Sequence, residues 1–173
     1  MKKLVVLLAM VSLLFGCARI YRPGIYPIPK ELLTTKFTSK STVTLINDYG
    51  EKSYNICIGA TETYTFYGDL RQITEVSVTL LSEELTKRGM IVRTDGDKTI
   101  RLKIRNMFGV YHIGIFRASM VLSVAVANGY LRDFFETNSS WNYQRSFDGA
   151  ISKVIAAVLN DENIVKYLIQ GRE

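Results

Sequence analysis

Apolar positions recur along this chain in two rhythms, one of period 3.6 and one of period two. In "DLRQITEVSVTLLSEELTKRG", Ile73, Val76, Leu80, Leu81 and Leu85 share one helical face. Asp69 suits the N-terminal cap, Lys87 and Arg88 the last turn, and Gly89 a left-handed stop, so the spacing predicts a helix. In "IRLKIR", Ile100, Leu102 and Ile104 alternate with Arg101, Lys103 and Arg105, the pattern of a strand with one core face and one basic face. Two hairpins are expected. Thr42–Asn47 and Ser53–Gly59 flank the turn-rich "NDYGEK", and Arg117–Ala127 and Tyr130–Ser140 flank Asn128-Gly129, a strong short hairpin signal. A brief extended stretch with an Asp95-Gly96 turn leads into the basic strand. Ile151, Val154, Ile155, Val158 and Leu159 form a closing helical stripe, and Asp161 starts a further short helix carrying Ile164, Val165 and Leu168. The order ββ-α-βββ-α predicts an α+β fold, an antiparallel sheet packed on one face by two helices.

The N-terminus has neither rhythm. Lys2 and Lys3 precede an unbroken apolar run, Leu4 to Phe15, too short for a bilayer-spanning helix of about 20 residues. It fits the h-region of a secretory signal. Leu14-Phe15-Gly16-Cys17 resembles the bacterial lipobox, although Phe15 is larger than the usual residue at its position. That resemblance implies cleavage before Cys17, acylation of Cys17 and membrane attachment through its acyl chains. Ala18, with no acidic residue behind the Cys, implies the outer membrane, facing the periplasm. The expected organisation is therefore a signal peptide over 1–16, a lipidated Cys and Pro-rich tether over 17–40, and one periplasmic domain over 41–173. The tether reading rests on "ARIYRPGIYPIPKE", which holds all three prolines of the chain. Tyr21, Ile25, Tyr26 and Ile28 within it are either plain spacer or contacts to the domain or the membrane interface.

Composition narrows the function classes. The formal charge of +6 is too mild for a nucleic-acid surface, and none is expected as a partner. With Cys17 consumed by the lipobox, Cys57 in "ICI" has no disulfide partner and reads as a small buried hydrophobe more readily than as a reactive thiol. His112 is the sole histidine, so no His-based metal cluster is available and no cofactor motif is present. Glu83 with Glu84 and Asp95 with Asp97 are carboxylate pairs on a helix surface and in a turn, without catalytic context. The expectation is a non-enzymatic protein with no catalytic residues, metal or cofactor.

Two surfaces stand out. Arg101, Lys103 and Arg105 (with Arg93 and Lys98 nearby) are either a solvated sheet face or a contact for anionic lipid phosphates. "NMFGVYHIGIFRAS" is either a strand extension packed into the core or an exposed apolar tip for a partner, with Phe108, Tyr111 and Phe116 as its candidates.

"SVTLLSEELTKRGMIV", the strand pair joined by Asn-Gly, and "AISKVIAAVLNDENIVKYLIQ" resemble the YajG family of bacterial lipoproteins, over roughly Gly68 to Gln170. The resemblance implies a lipid-anchored envelope protein and supplies no catalytic residues. The expected function is an adaptor or assembly subunit of a membrane complex, with an envelope protein as partner. The alternative is a lipid or lipopolysaccharide-binding module.

Overall fold

A computed structural model describes residues 17–50, 55–61 and 64–170. The predicted signal peptide, including Leu14, Phe15 and Gly16, lies outside the described residues. The strands are β1 (Cys17–Tyr21), β2 (Thr42–Asn47), β3 (Asn55–Ala60), β4 (Tyr64–Asp69), β5 (Ile91–Val92), β6 (Lys98–His112), β7 (Ile115–Val126) and β8 (Leu131–Ser140). The helices are α1 (Leu70–Lys87), α2 (Tyr143–Asn160) and α3 (Glu162–Ile169). The class is α+β: α1 and α2 pack on one face of an eight-stranded sheet.

The caps that mark α1 in the sequence form as their chemistry requires. Asp69 accepts the Arg71 amide at 2.9 Å. At the other end Gly89 takes φ 84°, its amide bonds Thr86 O, and the Met90 amide bonds Leu85 O. This paired closure satisfies carbonyls that the last turn would otherwise leave open, and Met90 is buried beneath it. Ile73, Leu80, Leu81 and Leu85 are buried against β6 and β2.

The sheet is mixed rather than wholly antiparallel. β6, β7 and β8 form an antiparallel meander. The other edge of β6 takes β2 beside Lys98–Leu102 and β3 beside Gly109–Val110, both parallel. β5 adds parallel to β2, β4 antiparallel to β3, and β1 parallel to β4. The expected hairpin of β2 with β3 does not form, because both strands run the same way along one edge of β6. Asp48 to Gly50 lie between them, near the β6 bulge at Ile104/Asn106. There the Tyr49 hydroxyl donates to Ile104 O, and Arg71 Nε donates to Gly50 O at 2.7 Å. Near the same bulge the Ile104 amide, on the β6 edge between β2 and β3, donates to Thr74 Oγ1 of α1 at 3.2 Å.

The segment read as a tether is built into the domain. β1 is a sheet strand, and Tyr21 and Ile28 are buried. Tyr21 stacks on Phe147 with ring centroids 4.9 Å apart, and its hydroxyl donates to Asp148 Oδ1 at 2.7 Å. The Gly24 amide donates to the same oxygen at 3.1 Å. Further along, Ser152 Oγ donates to Tyr26 O, Asn160 Nδ2 to Leu32 O, and the Thr35 amide to Asn160 Oδ1. Prolines here set an extended path that these side chains of α2 hold in place, so residues 18–35 act as a strap.

Candidate functional site

Pairing register sorts the sheet into two faces. Ile100, Leu102, Ile104 and Met107 of β6 point to the helices, as do Phe116, Ala118, Met120, Leu122 and Val124 of β7. The opposite face carries Ile20, Tyr67, Phe108, Val110 and Phe135, all exposed. No described helix covers that face. Cys57 stands on it opposite Tyr67 and is exposed, which corrects the expectation of a buried thiol. Strand alternation explains the outcome. Alternation puts Ile56 and Ile58 on the inward face and leaves Cys57 outside, and the bulge between Cys57 and Gly59 brings Gly59 inward beside Ile58.

The basic stripe lies on the same open face, toward the start of β6. Arg101 reaches Asp48 at 3.6 Å, Lys103 sits 5.1 Å from the centre of the Tyr49 ring, and Arg105 Nε donates to Ser123 Oγ at 2.9 Å. Ser123 in turn donates to Asp133. The stripe is therefore interleaved with two carboxylates. Lys98 is not part of it: its ammonium turns inward and donates to Tyr167 O and Gln170 O at the C-terminal end of α3, where a cation is favoured. Arg93 pairs with Asp95 at 2.7 Å.

The segment 106–119 is both a strand extension and an exposed tip. β6 and β7 continue to His112 and Ile115, joined by a two-residue turn, Ile113-Gly114. Phe108 and Tyr111 are exposed, but Phe116 is a core residue, edge-on to Phe66 and Phe147 at 5.5 and 5.3 Å. Its place in the alternating inward series of β7 accounts for the correction. His112 is exposed beside the turn.

One end of the sheet gathers features that the sequence keeps far apart. Ala18, Thr65, Ala60, Val110, Arg117 and Ser139 form one continuous row across six strands. One residue further out lie Cys17, Tyr64, Tyr111, Phe116 and Ser140, and beyond them Ile113 and Trp141. Strand spacing puts the Cys17 backbone about 14 Å from that of Tyr111, three strands away. Arg101 lies about 30 Å up β6 from this row, at the other end. Sequence reading passed over Trp141. The available signal was a lone tryptophan placed between Ser139-Ser140 and the α2 cap Asn142.

Two solved structures are similar to this chain, the first of them in fold. Protein XCC0632 from Xanthomonas campestris, of the DUF330 family, superposes with a TM-score of 0.53 at 12% identity, covering 82% of this chain and 92% of that one. A minor lipoprotein from Acinetobacter baumannii matches with a TM-score of 0.36 at 10% identity, covering 79% of this chain and 99% of that one. No family model and no curated protein matches the chain. The first likeness establishes a shared fold. Among the described residues, no helix is long and apolar enough to cross a membrane.

Proposed function

We propose that this protein is a bacterial envelope lipoprotein, anchored through Cys17 in the outer membrane. Its domain acts without catalysis as an adaptor or assembly subunit, and its YajG-like features belong to that role. The observation that carries the reading is the uncovered apolar sheet face. Ile20, Tyr67, Phe108, Val110 and Phe135 stand exposed on a sheet that the described helices α1 and α2 cover only from the other side. An exposed apolar face of this breadth is the kind of surface a protein partner occupies. The lipobox in the sequence supports the lipid-anchored class. The lipid-binding alternative draws less support, since Asp48 and Asp133 interrupt the basic stripe that would meet phosphates.

The test is site-specific photocrosslinking in cells, read together with the intact mass of the protein from the membrane fraction. Crosslinkers at Phe108 and Phe135 should give one common adduct that crosslinkers at Glu83 and Lys166, on the helical side, do not give. Phe135→Glu should remove it, and the intact mass should place acyl chains on Cys17. Adducts from the helical side alone would refute the assignment of the face. An unacylated N-terminus would refute the anchor.

A further inference from the structure

Turn chemistry at the β6–β7 tip is the first of three observations that point to one occupant. A two-residue hairpin turn with φ positive at both positions calls for Asn-Gly or Asp-Gly. Here the pair is Ile113-Gly114, with φ 45° and 76°. Ile113 is the one non-glycine residue among those described with positive φ, and β-branched side chains resist that region strongly. The β7–β8 connection of the same sheet uses Asn128-Gly129, with Gly129 at φ 90°. Ile113 therefore opposes local stability, and it is also 84% exposed, so packing within the domain does not repay it.

The second observation is its company. Trp141 is 72% exposed, Ile115 53% and Tyr111 50%, all at the same end of the sheet. The cations Arg19, Arg117 and Arg145 are exposed around them, Arg19 over the Tyr64 ring at 4.0 Å and Arg145 5.7 Å from the Trp141 ring. No carboxylate stands among the described residues of the terminal rows, from Arg19, Ala118 and Asn138 outward. Glu62, in the β3–β4 connection, lies outside the described residues. Apolar and indole groups ringed by arginines match a bilayer interface carrying anionic headgroups.

The third is the position of Cys17 in that same row, with the strap leaving no slack between it and the domain.

We infer that this end of the sheet docks on an anionic bilayer surface, with Ile113, Ile115 and Trp141 set into the interface and the three arginines among the headgroups. The orientation rests on Cys17 as the anchor; the surface itself does not. Trp141 is the only tryptophan, so its fluorescence reads the contact directly. The full chain from the membrane fraction is reconstituted in phosphatidylethanolamine–phosphatidylglycerol vesicles with or without brominated acyl chains. Trp141 emission should be blue-shifted and quenched by bromine. Ile113→Asp should lower the inserted-to-withdrawn ratio about tenfold or more, from loss of one buried Ile. The same substitution should leave the unfolding midpoint unchanged or raised, because Asp suits the turn. Water-like, unquenched Trp141 emission in an acylated, membrane-bound chain overturns the docking and leaves the anchor standing. Quenching in a chain whose mass shows no acyl group upholds the docking and removes the anchor. Quenching that Ile113→Asp does not diminish overturns the role of the tip.

Discussion

Replacing Tyr21 tests whether the strap belongs to the folded domain. Tyr21→Phe keeps the ring against Phe147 and removes one hydroxyl donor from Asp148 Oδ1. Asp148 still receives the Gly24 amide at 3.1 Å and Gln144 Nε2 at 3.1 Å, so its carboxylate is not orphaned. The loss is then one hydrogen bond to a charged group, toward the lower end of that range, about 1–2 kcal/mol. Tyr21→Ala also removes a fully buried aromatic ring, and about 3–5 kcal/mol is expected. Urea unfolding followed by Trp141 fluorescence measures both. Hydrogen exchange at the Gly24 amide separates local release of the strap from global unfolding. A double-mutant cycle of Tyr21→Phe with Asp148→Asn isolates the coupling between the two groups. The reasoning fails if Tyr21→Ala costs less than about 0.5 kcal/mol, the range of an ordinary surface substitution, and if Gly24 exchanges freely in the unmodified protein.

Burial, followed by the nearby Asp148 charge and hydrogen bond, raises the Tyr21 phenol far above its ordinary value of 10.0. A raised folded-state value contributes stability that is fully present below the unfolded value and lost as pH rises toward the folded one. Spectrophotometric titration should therefore find one of the ten tyrosines silent until the chain unfolds in alkali. Gly109→Ala should cost about 1–3 kcal/mol, because its Cβ falls 2.2 Å from Phe116 Cε1 and 2.9 Å from Phe147 Cζ; Phe116→Leu in the same chain should recover part, by thermal melting. Asp161→Ala should cost about 2–3 kcal/mol, since Asp161 caps α3 through the Ile164 amide and receives the Tyr130 hydroxyl; Asp161→Asn, which still caps, should cost less.

What was legible in the sequence was local. α1 announced both of its ends through Asp69 and Gly89, β6 its two faces, and the β7–β8 hairpin its turn. Asp161 likewise marked the break between α2 and α3. What was not legible was partnership at a distance. Nothing within β2 or β3 specifies that both lie along one edge of β6, because parallel pairs carry no connecting turn to fix them. β1 and β4 were missed for a related reason. β1 hides in a proline-rich stretch whose burial depends on Asp148, 127 residues away. Candidate surface residues divided the same way. Alternation along β7 was enough to assign Phe116 to the core, whereas the convergence of Cys17, the Ile113 turn and Trp141 requires the assembled sheet.

The strap also fixes how far the protein reaches. A free linker over residues 18–40 would carry its domain some 25 Å from its attachment, on the order of 5–6 Å times the square root of its length, and let it sample a wide volume. Clamped by Asp148, Ser152 and Asn160, the same residues contribute no reach. An anchored domain of this kind extends from the bilayer by little more than the length of β6, about 50 Å for its fifteen residues. On the proposed anchoring, such a domain would meet a partner at one height and in one orientation, and encounter would become a search across the plane of the membrane.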